Sequence, residues 1–279
     1  MKKIVTHINP DLDAIYSVWL IKRFLPGWQE AEINFIPAES TLDNKPVDSN
    51  PDVFHVDVGW GKFDHHHIKG FLSASKLVFD YLLEVRSGEK LSPLEEQALK
   101  LMVEVVNEID NAGELSWLEF KKTRYHFYLH DLFWGLRSLG ATDMETMEFG
   151  LKSLEAVLTN LKNQLKAQEE LKEGQEFQTP WGQALGLETG NESVIREGQK
   201  EGYVLVIKKD PKQGGVRIYA RPDSKVDLQK AYDWLKENDQ QGEWFLHASH
   251  KLLLNESRTK PMKPTKLSLE QIMEVLKND

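Results

Sequence analysis

The stretch Asp57-Val58-Gly59-Trp60-Gly61-Lys62-Phe63-Asp64-His65-His66-His67 follows directly on an apolar run, Val53-Phe54-His55-Val56, that reads as a buried strand. Two carboxylates and three consecutive imidazoles at the end of a core strand are costly to desolvate, so the chain must use them there. In open α/β sheets ligands bind beyond the carboxyl ends of the strands. Hard divalent cations take carboxylate oxygen, and imidazole suits manganese, zinc and iron. The stretch therefore points to a fold in which this strand end opens on a metal site.

The segments before it supply the rest of such a sheet. Residues 2–8 alternate around Ile4 and Val5 and predict a first strand. A helix over roughly 14–25 carries Ile15, Val18, Trp19, Ile21 and Phe24, and Pro26-Gly27 ends it. Further strands are predicted over 32–37 and 52–58. Strand–helix–strand order implies parallel pairing with right-handed crossovers. The fold class is thus α/β, a doubly wound, mainly parallel sheet over about 1–172, followed by a smaller α+β domain over about 175–279.

Helices dominate the middle. One is predicted near 73–85. The next opens on Ser92-Pro93-Leu94-Glu95, a capping box with Pro at the first helical position. Its apolar positions run from Leu94 to Ile109 and stop at Asp110-Asn111-Ala112-Gly113. Glu108 and Asp110 put negative charge at the negative end of that helix's dipole, and a bound cation would reverse the penalty. A helix near 124–139 follows. Met147, Leu151, Leu154, Leu158, Leu161 and Leu165 then repeat at heptad-like spacing. Two readings stand for that stripe: a helix packed on its own domain, or the seam of a homodimer.

After the polar run Glu169-Glu170-Leu171-Lys172-Glu173-Gly174 the pattern changes to short strands over 176–179, 183–188, 203–208 and 215–220. A helix over 226–237, a strand near 243–247 and a last helix from 268 complete the smaller domain.

Composition removes several function classes. The 279 residues contain no Cys, which excludes disulfides, thiolate metal sites and cysteine nucleophiles. No apolar run approaches the ~18 residues of a membrane span, and a cytoplasmic protein is expected. A net charge of −9 argues against broad duplex binding, which needs phosphate neutralisation. Residues 199–230 nevertheless hold eight Lys/Arg against four Asp/Glu, a local +4 that suits a short anionic substrate or an ordinary solvated face.

Further metal-ligand types stand at the end of the first strand in His7-Ile8-Asn9-Pro10-Asp11-Leu12-Asp13. Taken separately, Asp11 could form a turn after Pro10 and Asp13 could cap the next helix. In a parallel sheet this loop emerges from the same edge as the Asp57 loop. His7, Asp11, Asp13, Asp57, His65 and the helix-terminal Asp110 could then converge, and two cations ~3.5–4 Å apart need such a set.

The same segments resemble a known family. His7-Ile-Asn-Pro-Asp11-Leu-Asp13-Ala, Val-Asp57-Val-Gly, Phe-Asp64-His65-His66 and Glu-Ile-Asp110-Asn are similar to the four ordered motifs of the DHH phosphoesterase superfamily. RecJ-type nucleases, oligoribonucleases, cyclic-dinucleotide phosphodiesterases and family II pyrophosphatases share them. Val-Asp57-Val-Gly a few residues before Phe-Asp64-His65-His66, together with Ile-Asp110-Asn, most resembles the MYG-type branch of metal-dependent hydrolases and 3′–5′ RNA exonucleases. The gap from Asp57 to Asp64 is short for the superfamily. Pro180-Trp181 and Phe245-Leu-His247-Ala-Ser249 resemble that branch more loosely. The usual Gly-Gly-Gly-His element is replaced by Gly242-Glu-Trp-Phe-Leu-His247.

What the resemblance implies is a two-cation hydrolase, with Mn2+ favoured and Mg2+ the alternative. His7, Asp11 and Asp57 would hold one metal; Asp13, Asp57, His65 and Asp110 would hold the second, with Asp57 bridging. Asp64 would orient its neighbouring imidazoles, and His66 would meet the phosphate or protonate the leaving oxygen. His67 reads as a bystander or an outer-shell group. The substrate would be a short RNA or oligonucleotide, or else a small phosphoester or pyrophosphate. A non-catalytic dimeric scaffold is the reading from another class.

Residues outside the motifs are weaker candidates. Arg217 and Arg221 alternate on one strand and could clamp phosphate oxygens or line a charged outer face. His247, Ser249 and His250, beside Lys251, could hold the substrate's terminus or form a plain turn. His126 and His130-Asp131 could mimic a phosphohydrolase dyad or lie on a solvated helix face.

Overall fold

The structure is a computed structural model that describes residues 1–85, 91–257 and 260–278. It is mixed α/β, with a parallel sheet and a separate mixed sheet, and divides into two compact units, Met1–Leu161 and Lys162–Asp279.

The first unit is built on three parallel strands, β1 (Lys3–His7), β2 (Glu32–Ile36) and β3 (Val53–His55), in the order β2-β1-β3. Val5 pairs with Asn34 on one side and His55 on the other, so the chain leaves β1 and β3 on one edge of the sheet. The crossover from β1 to β2 is α1 (Leu12–Phe24). Asp11 caps α1, accepting from Ala14 N at 3.0 Å, and Lys22 and Arg23 in the last turn complement the dipole. Eleven of its residues are buried, including Tyr16, Ser17 and Trp19, so α1 is a core helix rather than a one-sided amphipathic one. The crossover from β2 to β3 runs through a 3-10 turn, Leu42–Asn44, in place of an α-helix among its described residues.

Helices α2 (Ala74–Val85) and α3 (Pro93–Asp110) pack on α1. Ser92 caps α3 through Glu95 N at 3.2 Å, with Pro93 at its first position. The predicted helix near 124–139 is broken: a 3-10 turn, Thr123–Phe127, precedes α4 (Leu129–Ser138). Extended backbone at Tyr128 makes the break, and buried Tyr125, whose hydroxyl lies 2.9 Å from His130 Nε2, anchors it.

Helix α5 (Asp143–Glu170) carries the heptad-like stripe. Met147, Leu154, Leu158 and Leu165 are buried within the chain. Gly150 permits a close approach to α1: a Cβ there would stand 2.5 Å from Ile15 Cγ2. Trp19 Nε1 also donates to Glu155 Oε1 at 2.9 Å.

In the second unit a six-stranded sheet runs β4-β5-β6-β7-β9-β8. The strands are β4 (Gln175–Thr179), β5 (Gly182–Glu188), β6 (Leu205–Lys209), β7 (Val216–Ala220), β8 (Phe245–Leu246) and β9 (Leu252–Leu254). Strands β5 and β6 pair in parallel, the other neighbours antiparallel. A parallel pair requires a crossover, and α6 (Ser193–Lys200) supplies it. One sheet face, with Ala184, Leu205, Ile207, Val216 and Ile218, packs on α7 (Gln229–Asn238) and α8 (Leu269–Lys277). The other, with Leu185, Leu187 and Val206, packs on Val194 and Ile195 of α6.

Candidate metal centre

Two strand ends and two helix ends in the first unit build the site. Beyond β3, Val56 N bonds Val5 O at 2.9 Å, and Asp57 N bonds Phe63 O at 2.9 Å. The 57–63 loop therefore doubles back tightly. Asp57 sits at φ +56, a left-handed conformation that a non-glycine residue holds only when its surroundings impose it. That turn carries Asp64 and His65 back beside Asp57.

Imidazole and carboxylate atoms then meet at short range. His7 Nε2 lies 3.2 Å from Asp57 Oδ2 and 3.9 Å from Asp11 Oδ1. His65 Nδ1 lies 3.5 Å from Asp57 Oδ1 and 3.8 Å from Asp13 Oδ2, while its Nε2 lies 3.1 Å from Asp110 Oδ2. His7, Asp11 and Asp57 each offer a ligand atom within 4.8 Å of the others, and so do Asp13, His65 and Asp110. Asp57 faces both groups.

The donor set fits divalent cations. Four carboxylates share this space with two imidazoles. Among the described residues, Asp57 Oδ1 and His65 Nδ1 are buried without a hydrogen-bond partner. Burial, joined by the charges of Asp13 and Asp11, pushes Asp57 well above the ordinary carboxylate range. Burial, with Asp110 and Asp11, lifts Asp13 to about 7. Burial alone would lower His65, but Asp110, Asp57 and Asp13 outweigh it and raise it to about 9. All three shifts reflect buried negative charge in excess, and a cation would remove it.

Two members also have structural work. Asp11 is the cap of α1. Asp13 accepts from Ala74 N at 2.7 Å and Ser75 N at 2.9 Å, which fixes the start of α2 rather than the start of its own helix. Each carboxylate oxygen has two lone pairs, so these bonds leave room for a metal.

Asp64 is buried and organises its own loop. It accepts from Trp60 N at 2.7 Å, His66 N at 3.0 Å and His66 Nδ1 at 2.7 Å. Burial opposes its ionisation, yet those donors hold it below the ordinary carboxylate range. The His66 side chain is 57% exposed, with Nδ1 held by Asp64. His67 is exposed.

The candidates from the second unit are engaged locally. Arg217 bonds Glu256 at 2.6 Å and Glu192 at 2.8 Å, and both glutamates also hold buried Lys208. Arg221 pairs with Asp223 at 2.6 Å. His247 Nδ1 lies 2.9 Å from Ser249 Oγ, and His250 Nδ1 lies 3.0 Å from Asp227 Oδ1. Much of the local +4 is therefore compensated in place. In the first unit, His126 Nδ1 lies 2.9 Å from Asp131.

Sequence reasoning missed Arg137, whose Nη2 donates to Asn9 O and Pro10 O at 2.6 Å each and so braces the loop bearing Asp11. No local signal marks it, because the contact spans 127 residues.

No protein-family model matches the sequence, and no curated protein matches it. Among solved structures, an uncharacterized protein from Helicobacter pylori is similar over all of both chains at 13% identity and a TM-score of 0.27. RecJ from Thermus thermophilus, in complex with Mg2+, is similar over 99% of this chain and 49% of its own, at 14% identity and TM-score 0.32. The DHH domain of a member of a family of ribosomal proteins is similar over 99% of this chain and 85% of its own, at 11% identity and TM-score 0.33. This chain thus spans about half of the RecJ chain. Among the described residues no helix is long and apolar enough to cross a membrane.

Proposed function

We propose that this chain is a metal-dependent phosphodiester hydrolase of the DHH type, an exonuclease that shortens short RNA or oligonucleotides from one end. The observation that carries the reading is the meeting at Asp57 of two ligand groups, His7–Asp11–Asp57 and Asp13–His65–Asp110. Asp57 and Asp13 are buried carboxylates that crowd His65 at 3.5 and 3.8 Å, an arrangement that divalent cations would neutralise. The resemblance of the four sequence motifs to DHH phosphoesterases supports the same assignment.

Two divalent cations, Mn2+ before Mg2+, would be held by these groups, and when bound they lower the pKa of water and neutralise a phosphate. The chain's own residues do the rest. Asp57 faces both groups and fixes their separation. Asp64 takes the Nδ1 hydrogen bond of His66, so Nε2 is the atom left to contact the phosphate or pass a proton to the leaving oxygen. Asp64 also holds Trp60 N, so one buried carboxylate sets both the loop and the ring. The acidic balance of −9 suits a short substrate better than a long duplex.

A gel time course with 5′-labelled RNA, with and without Mn2+, tests the proposal. The expected result is a Mn2+-dependent ladder shortening from the 3′ end and absent in Asp57→Ala. An untouched RNA alongside Mn2+-dependent release of phosphate from pyrophosphate or a small phosphoester would overturn the nuclease reading.

A further inference from the structure

Helix α4 and the turns before it are fastened at one end to the loop after β1 and at the other to the last turn of α3. Arg137, in the last turn of α4, bonds Asn9 O and Pro10 O, immediately before Asp11. At the other end, Trp117 Nε1 donates to Glu108 Oε1 at 2.6 Å, two residues before Asp110. The segment 117–137 is therefore positioned by the loop that presents Asp11 and by the end of α3 that presents Asp110.

This segment shows water an unusual set of side chains. Trp134 is 67% exposed and Phe127 is 77% exposed, with Phe120 also exposed. Trp134 lies against the Arg137 guanidinium, 5.3 Å from ring centroid to Cζ, so the exposed ring is one residue removed from the Asn9–Pro10 carbonyls. Lys121 and Lys122 are exposed in the same segment, as is Arg124, which pairs with Glu119 at 3.1 Å. Residues 117–137 hold Lys121, Lys122, Arg124 and Arg137 against Glu119 and Asp131, a local +2 in a chain of −9.

Exposed rings alone would fit several occupants. Rings interleaved with cations, beside a site suited to phosphodiesters, fit a flexible polyanion with flat apolar faces. A second copy is the rival occupant, and the dimer readout in the test below separates it. We infer that segment 117–137 is a track for single-stranded nucleic acid. Trp134 stacks on the base closest to the metal cluster, Phe127 stacks on a base further out, and Lys121 and Lys122 meet the backbone phosphates. The inference rests on the phosphodiesterase reading and adds to it where the uncut strand lies.

The test compares wild type, Trp134→Ala/Phe127→Ala and Lys121→Glu/Lys122→Glu on a labelled single-stranded RNA of about 12 nucleotides and on a dinucleotide. Fluorescence anisotropy of the same RNA in EDTA is measured in parallel. The ring variant is expected to lose about tenfold or more of the preference for the longer substrate in kcat/KM, with a matching loss of RNA affinity. The lysine variant is expected to flatten the salt dependence of binding. A length preference and affinity that stay at wild-type values, with the dinucleotide still cleaved, would overturn the track and leave the hydrolase standing. Wild type that cleaves no phosphodiester but binds the RNA through Trp134 and Phe127 would keep the track and remove the catalytic reading. Loss of binding to anionic lipid vesicles, or of a dimer, in the ring variant with RNA affinity unchanged would overturn the track in favour of those partners.

Discussion

Asp57 Oδ2 stands 3.2 Å from His7 Nε2, joining the chain beyond β3 to the end of β1. The contact puts a 2% exposed carboxylate side chain between two ligand groups, and burial already pushes that carboxyl well above its ordinary range. Asp57→Asn preserves the shape and removes the charge. The metal-free variant is expected to melt no lower than wild type, while stabilisation by Mn2+ is reduced or lost and turnover falls about 100-fold or more. Thermal scans with and without Mn2+, beside a hydrolysis assay, check this.

The metal-free protein should lose stability as pH rises from about 4 to 9. Asp13 keeps its proton in the fold to about 7, against an ordinary value of 3.8, and His65 keeps its proton to about 9, against 6.5. Folded-state values above unfolded ones stabilise at low pH, and that contribution is lost as pH passes through the folded values. Bound cation releases those protons, so excess Mn2+ should flatten or reverse the slope. Melting temperatures in EDTA and in Mn2+ across this range read the sign directly. A metal-free melting temperature that climbs with pH would contradict it.

Asp64 bonds His66 and the Trp60 backbone. Asp64→Asn is expected to lower turnover about 10- to 100-fold while changing Mn2+ affinity much less than Asp57→Asn does. Adding His66→Ala to it should cost less than His66→Ala alone, because the two share one function. Additive losses in that cycle would separate the two residues.

Arg217 offers a contrast. Its two bonds to Glu192 and Glu256 belong to a network with buried Lys208, so Arg217→Ala leaves carboxylates short of a cation. A loss of roughly 3 kcal/mol of stability is expected, with Mn2+ binding unaffected. Unchanged stability with a raised KM would instead identify Arg217 as a phosphate clamp.

Much of the first unit is legible in the sequence because its signals are local. Period-2 strands, the Ser92-Pro93 start of α3 and the His7–Asp13 and Asp57–His67 runs each lie within a few residues. The long-range contacts are not legible. Asp13 reads as a cap for its own helix, but its partners Ala74 and Ser75 lie 61 and 62 residues away. A single helix near 124–139 ignores the pull of buried Tyr125. In the second unit α6 escapes notice, since Val194 and Ile195 are too few to show a period; the parallel pairing of β5 with β6, invisible locally, is what demands it. Strand β9 is hidden because Leu252-Leu253-Leu254 is only three residues long and follows a polar turn.

The most direct measurement is the electron paramagnetic resonance spectrum and stoichiometry of Mn2+ bound to the wild-type chain and to Asp57→Asn. The expected result is two Mn2+ per chain with an exchange-coupled spectrum, reduced to a single uncoupled ion or none in the variant. Wild-type protein that binds no Mn2+, or binds ions whose spectrum is uncoupled and unchanged by Asp57→Asn, would contradict a two-cation centre bridged at Asp57.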